Sequence, residues 1–294
     1  MTATARLLSG NRLHLQHGPI DLIIGADGAS HEIEVAYRAA VDAFPSILPA
    51  LVSELPLLRT AVSAASLLPS VLEGGTNENK GGPVAARMFA AVWPYRDQFI
   101  TPMAAVAGSV ADHVLAIMCT AASLDRAYVN NGGDIAIYLK GTATFTVGVV
   151  GDLAAPGIDA KIIVGHADGI GGIATSGWRG RSQSLGIADA VTVLARSAAE
   201  ADAAATMIAN AVNVDDAAIH RRPAHEVKDD SDLGSFAVTV GVGRLSGAQR
   251  SRAMANGIGR AHEILAKNLI VAAYIQLQGA TAVAGLPTAR LKAA

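Results

Sequence analysis

Four stretches of the chain combine residue types that could do chemistry. The first is Asn130-Asn131-Gly132-Gly133-Asp134. Paired glycines permit positive φ and let a ligand approach the backbone, while Asn and Asp supply amide and carboxylate contacts. The same spacing also fits a plain hairpin turn. The second stretch, Thr175-Ser176-Gly177-Trp178-Arg179-Gly180-Arg181-Ser182-Gln183-Ser184, concentrates hydroxyls, two guanidiniums and an indole. Arg179 and Arg181 could clamp a carboxylate or phosphate, with Thr175 and Ser176 completing the grip; a solvated basic loop is the plainer alternative. Third, Asp202 and Thr206 lie four apart and so share one helix face. Together they offer hard oxygen ligands suited to a Mg²⁺ ion that keeps its waters, although an acid near a helix start also simply complements the dipole. Fourth, His166 precedes Asp168-Gly169 and is the best histidine for acid–base work, with Asp134 as a second proton carrier; a turn histidine is the alternative.

Other chemistries lack their motifs. No HExxH or His/Cys cluster marks a zinc hydrolase, Ser176 sits in no GxSxG elbow, and no GxGxxG or Walker loop occurs. The Gly-rich run from Gly165 to Gly172 lies between expected strands, without the following helix that a phosphate loop needs. Lys and Arg total 23 against 25 Asp and Glu, a net charge of −2. That balance argues against nucleic acid as the partner, because phosphate neutralisation needs clustered bases. The single cysteine, Cys119, excludes a disulfide scaffold and a Cys-based zinc site and points to a reducing cytoplasm.

The elements that must position these residues are built from small apolar side chains: 51% of the chain is hydrophobic but only 4% aromatic. Arg12–Leu15 and Ile20–Ile24 read as a hairpin about His17-Gly18-Pro19, followed from about Ala29 by a helical pattern that Pro45 and Pro49 should break or kink. Glu73 to Pro83, with Asn77 to Lys80 at its centre, reads as a loop. Helices are expected over Val84–Val92 and roughly Ala104–Leu124. The second of these is apolar enough to suggest a membrane span, but Asp112 and His113 at its middle favour a buried helix. Strands follow at Tyr128–Val129, Ile135–Leu139, Thr144–Val150, Ala160–Val164, Gly172–Ala174 and Val191–Leu194. Ser197-Ala198-Ala199-Glu200 has the form of a capping box opening a helix to about Val212. Phe236–Val242 reads as a strand and Gly247–Leu277 as one long final helix. Helices and strands mix without βα alternation, which indicates an α+β fold.

Three of these pieces occur in an order that resembles the ApbE family, the Mg²⁺-dependent flavin transferases that move FMN from FAD onto a protein threonine. They are Val129 to Ile135, Ile173 to Gly177, and Val191-Thr192-Val193 leading into Ala201 to Thr206. Over the whole chain the sequence is similar to the ApbE-like family of unknown function. The marks of that branch are His17 to Ile23, Phe99 to Gly108, and Gly180 to Asp189. The resemblance implies one ApbE-like domain over 1–294, with T-fold-like duplicated units (1–125 and 126–294) and a cleft between them.

By the same resemblance, Asp202 and Thr206 match the metal-binding Asp and Thr. Asn131, Gly132, Gly133 and Asp134, with Asn130 before them, match the turn near the flavin nucleotide. Thr175-Ser176-Gly177 matches the Thr-Ser-Gly of the active cleft. FAD or FMN and Mg²⁺ are the implied cofactors. Two departures accompany the match: Ala104 and Ala105 replace glycines and no lysine precedes Gly108, and Arg181 to Gly186 stands where transferases carry a histidine motif. Three readings follow. The first is an enzyme taking a small anionic or flavin-type ligand; the second, a hydrolase, deaminase or lyase of a small heterocyclic carboxylate; the third, a non-catalytic flavin-binding protein. The expected setting is cytoplasmic, without nucleic acid or membrane, as a homodimer.

Overall fold

A computed structural model of the protein describes residues 2–63, 81–149, 160–285 and 291–293. The Asn77 to Lys80 stretch lies outside the described residues. The architecture is α+β, with two compact units interleaved along the sequence. Unit 1 comprises Met1–Thr144, Gly165–Ile173 and Ser197–Ala203; unit 2 comprises Phe145–Val164, Ala174–Arg196 and Ala204–Ala294.

Unit 1 opens with three antiparallel strands, β1 (Thr4–Leu8), β2 (Arg12–His17) and β3 (Ile20–Asp27). The tight turn between β2 and β3 needs a left-handed residue, supplied by Gly18 at φ 58. The sheet continues through β4 (Arg126–Asn131) and β5 (Asp134–Leu139) to the first residues of β8 (Gly172–Ser176), every pairing antiparallel. Its inner face follows a period of two: Leu13 and Leu15 on β2, Leu22 and Ile24 on β3, Ala127 and Val129 on β4 are all buried. Against the strands pack α1 (Ser30–Leu58) and α3 (Val106–Ala121), and α2 (Pro83–Val92) packs against both helices.

Helix α1 corrects one expectation. It runs unbroken through Pro45, Pro49 and Pro56. Its buried stripe of Ala36, Tyr37, Ala40, Phe44, Ile47, Leu51 and Leu58 holds it to the core, and packing of that face outweighs the lost backbone bonds. Helix α3 starts two residues later than expected, after a 3₁₀ turn at Pro102–Ala105, and buries Gly108, Ser109, Val110, Ala111, Val114, Leu115 and Met118. By length and composition, α1 and the Pro102–Ala121 stretch are long and apolar enough to cross a membrane. Here α3 packs on α1, α2, β4 and β5 as a core helix.

Unit 2 contains the rest of β8, then β9 (Ala190–Ala195), β12 (Ala272–Leu277) and β13 (Ala280–Ala284), with β12 antiparallel to both β9 and β13. All six residues of β9 are buried, as expected of a strand covered on both faces. Helix α4 (Ala198–Ala211) begins in unit 1 and ends in unit 2. A three-stranded sheet joins β6 (Thr144–Val149), β7 (Ala160–Gly165) and β14 (Leu291–Ala293). A ribbon pairs β10 (Ile219–Pro223) with β11 (Ala237–Val242), and the single turn α5 (Ala224–Val227) lies between them in sequence.

The expected final helix is shorter than its sequence pattern suggests. Helix α6 spans Gly247–Ala266, and the chain then turns through Asn268, left-handed at φ 54, into strand β12. Asn tolerates that conformation. The β-branched and aromatic run Ile270-Val271-Ala272-Ala273-Tyr274-Ile275 then favours a strand, which a helical count of apolar positions misses. The start of α6 is fixed by a capping box, with the Gln249 N–H donating to Ser246 Oγ at 3.2 Å.

Candidate functional site

Within unit 1 the Asn-Asn-Gly-Gly-Asp stretch is indeed a hairpin turn, joining β4 to β5 with Asn131 opposite Asp134. Gly132 and Gly133 take φ 65 and 114, and the Gly133 N–H donates to Asn130 Oδ1 at 2.8 Å. The two-residue turn explains the glycine pair. It does not explain Asn131, which continues the inward-facing row of Ala127 and Val129 and is only 4% exposed. Its amide donates to the Ala107 carbonyl at 3.1 Å, tying the turn to the start of α3. A buried amide on a core face must find such a partner.

That start of α3 meets the start of α4, and the two helices exchange carboxylates. The Gly108 N–H on α3 donates to Asp202 Oδ2 on α4 at 3.1 Å. In return Asp112 on α3 accepts from the Ala198 and Ala199 N–H groups of α4, at 3.0 and 2.8 Å. Ser197 Oγ accepts from Glu200 N–H at 3.2 Å, and the Ala201 N–H donates to the Ser197 carbonyl at 3.1 Å. The amides of Ala198, Ala199 and Glu200, which open α4 without intrahelical partners, are thereby satisfied, and the Ala201 bond begins the helical ladder. The crossing is so close that a Cβ at Gly108 would stand 2.2 Å from the Ala198 oxygen, and one at Gly172 would stand 2.0 Å from the Ala198 nitrogen.

The electrostatics follow from this enclosure. Burial raises the Asp202 carboxyl well above the ordinary carboxylate range; the charges of Asp134 and, to a smaller extent, Asp112 push the same way, against the amides of Gly108 and Ala107. Asp202 keeps some solvent-facing surface, yet enough protein surrounds its carboxyl for desolvation to dominate. Like-charged carboxylates held by backbone amides form an environment that a hard divalent cation would relieve. Asp202 and Asp134 offer the oxygen donors that Mg²⁺ takes; Thr206 lies one turn along α4, half-buried, in unit 2. Among the described residues no group of three or more His, Cys, Asp or Glu is gathered around a metal position. A Mg²⁺ ion that retains waters needs only one or two carboxylates.

Asp112 is pushed up to about 6, mainly by burial, which outweighs the two amides it accepts from and the attraction of Arg87. A raised pKa in the fold means that the native state holds a proton the unfolded chain has already lost. The contribution of Asp112 to stability is therefore full below the ordinary value of 3.8 and is lost as pH rises through about 6. By pH 7 the loss is on the order of 3 kcal/mol. In urea titrations between pH 4 and 7, Asp112→Asn should show a correspondingly flatter decline in unfolding free energy. Equal slopes in the two proteins would contradict the assignment.

The second polar stretch, in unit 2, divides into structural and available parts. Gly177 is fixed by close packing, since a Cβ there would lie 2.4 Å from the Asp189 oxygen. Asp189, with a side chain 10% exposed, accepts from Arg179 Nε at 3.0 Å, from Trp178 Nε1 at 3.3 Å and from the Gln278 amide. The Arg179 guanidinium also lies 4.9 Å from the Trp178 ring centre. Much of Arg179 is thus committed within its own unit. Gln183 donates to the Ala224 carbonyl at 2.9 Å, and Ser184 donates to Asn210 Oδ1 at 3.3 Å. Arg181 is exposed, Ser176 half-buried, and Thr175 shares a 2.9 Å hydrogen bond with the buried Thr192.

His166 stands apart from the carboxylates. It opens a 3₁₀ turn at His166–Asp168 and bonds through Nδ1 to the Leu139 carbonyl at 2.7 Å. Leu139 ends β5, whereas Asp134 begins it, about 17 Å away at strand rise. The turn-histidine alternative describes its geometry. Asp112, Gly108, Asp189 and Thr192 are the residues that motif reading missed as parts of these clusters. An aspartate amid an apolar helix was the available signal for Asp112, because a charge there requires a partner.

A family model described as "AbpE bacteria" matches residues 4–283. The chain belongs to that family. Curated relatives include the UPF0280 protein of Methanopyrus kandleri, 36% identical over 166 residues that make up 55% of this chain and 64% of the relative. Another is the UPF0280 protein of Methanothermobacter thermautotrophicus, 35% identical over 176 residues, covering 56% and 63%. The matched stretch spans less than two-thirds of each of these relatives. Solved structures with similarity include the ApbE protein from Thermotoga maritima (TM-score 0.49, 13% identity, 95% of this chain and 96% of that one). A second is the flavinyl transferase ApbE from Pseudomonas stutzeri, apo form (TM-score 0.41, 11% identity, 97% and 95%).

Proposed function

We propose that this protein is a cytoplasmic ApbE-like enzyme that binds a flavin-type nucleotide with Mg²⁺ and transfers FMN from FAD. Family membership supports the general role. The observation that carries the finer reading is the carboxylate arrangement of unit 1, where Asp202 is held against the first amides of α3 and feels the charge of Asp134. Asp202 and Asp134 would hold the cation, whose bound charge offsets that of a pyrophosphate. The Gly132-Gly133 turn leaves its backbone open, with no atom within 4 Å of a Cβ built at Gly133, so a nucleotide can approach closely. In the reaction the acceptor threonine oxygen bonds to the FMN phosphorus, the pyrophosphate P–O bond breaks, AMP leaves, and the hydroxyl proton is released.

The test is direct. Purified protein, FAD, Mg²⁺ and a threonine-bearing peptide should yield a peptide heavier by the FMN group and an equal amount of AMP, both read by mass spectrometry. Absence of both products would overturn the proposal. The missing lysine before Gly108 and the replaced histidine motif favour a second reading, a hydrolase, deaminase or lyase of a small heterocyclic carboxylate gripped by the exposed Arg181. Thermal stabilisation by ring carboxylates, but not by flavin nucleotides, would support that alternative.

A further inference from the structure

We propose that Asp112 is a positioning residue for Asp202, setting the start of α4 so that Asp202 can hold a divalent cation; the inference rests on the metal reading above. Asp112 lies four residues beyond Gly108 on α3, and Asp202 four residues beyond Ala198 on α4. Each carboxylate therefore reaches the opening amides of the other helix. The two exchanges differ in consequence. Asp112 uses both oxygens on Ala198 and Ala199, a charge-assisted pair that fixes α4 in direction and in height against α3. The Gly108 N–H occupies Asp202 Oδ2, so Asp202 does not have to anchor α4 alone. Gly108 and Gly172 supply the clearance that lets the α4 start sit at this depth. Ser197 accepts only from α4's own amides, Glu200 on its hydroxyl and Ala201 on its carbonyl, and these bonds order the turn within α4.

The experiment compares the full-length protein with Asp112→Ala and Asp112→Asn, well below their melting temperatures. Calorimetric titration with Mg²⁺ alone should show affinity weakened about 10–100-fold in Asp112→Ala, the range for losing a group that orients a metal ligand. Asp112→Asn, which keeps one acceptor oxygen, should lose less. Hydrogen exchange of the metal-free proteins should speed up at residues 198–202 in Asp112→Ala and remain unchanged on α1 and α2. Unchanged Mg²⁺ affinity, or faster exchange spread evenly through unit 1, would overturn the proposal. If the unaltered protein takes up no Mg²⁺, the metal reading fails; the exchange pattern then separately decides whether Asp112 holds α4. Should Asp112→Ala not fold, the same two measurements on Asp112→Asn decide the matter.

Discussion

Gly108→Ala is expected to lower the melting temperature by about 6–12 °C. The added Cβ would lie 2.2 Å from the Ala198 oxygen, 2.5 Å from its carbonyl carbon and 2.8 Å from the Ala199 nitrogen. All three are backbone atoms, so no rotamer change can clear the space; α3 and α4 must separate. Separation strains the Gly108–Asp202 bond and both bonds to Asp112 together. Overpacking of a tight interior costs roughly 1–3 kcal/mol, and this site belongs at the upper end because hydrogen bonds go with it. At about 2–4 °C per kcal/mol for a protein of this size class, the shift follows. Gly259→Ala is the control. It lies exposed on α6 with nothing within 4 Å of its added Cβ, and alanine there should stabilise by about 0.5–1 kcal/mol through helix propensity. Calorimetry on the two variants checks the pair, and a Gly108→Ala protein melting within 2 °C of the original would refute the close crossing.

The contrast between those glycines shows which parts of the molecule the sequence could disclose. Strands with a period of two, such as β2 and β3, and the hairpin at Gly132-Gly133 depend on neighbours in the chain, so residue pattern reveals them. Asp202 and Thr206 were legible as a pair because four-residue spacing places them on one helix face. Asp112 is different. Its partners are 86 and 87 residues away, and only the fold makes it the anchor of α4. Arg179 shows the opposite error: a guanidinium in a hydroxyl-rich loop suggests an anion clamp, but Asp189 ten residues later already takes its Nε. The helices misjudged in extent fail for a related reason. Proline count alone argues against α1, and its buried stripe overrides that argument. Apolar spacing alone extends α6 past Asn268, where a left-handed residue ends it.

Asp202→Asn should leave the protein at least as stable at pH 7 while reducing the proposed Mg²⁺-dependent FMN transfer by a factor of about 10²–10³, the scale of losing several kcal/mol of metal-borne charge stabilisation. The two effects have one origin. The Asp202 carboxyl is raised chiefly by burial and then by Asp134, so in the fold its negative charge is disfavoured. An amide of the same shape can still accept from the Gly108 N–H through its oxygen, and it brings no charge into the enclosure. The sign of the pH effect follows: the stabilising contribution of Asp202 is full below the ordinary carboxylate value and falls as pH rises toward its elevated one, and the asparagine variant lacks that decline. What the variant gives up is an anionic oxygen for the cation, which a neutral amide replaces poorly. A residue kept merely to cap α3 would behave otherwise, with stability and activity falling together. Melting curves at pH 5 and pH 7, measured beside the transfer assay, separate the cases. Lower stability at pH 7, or transfer that survives the substitution, would remove Asp202 from the metal site.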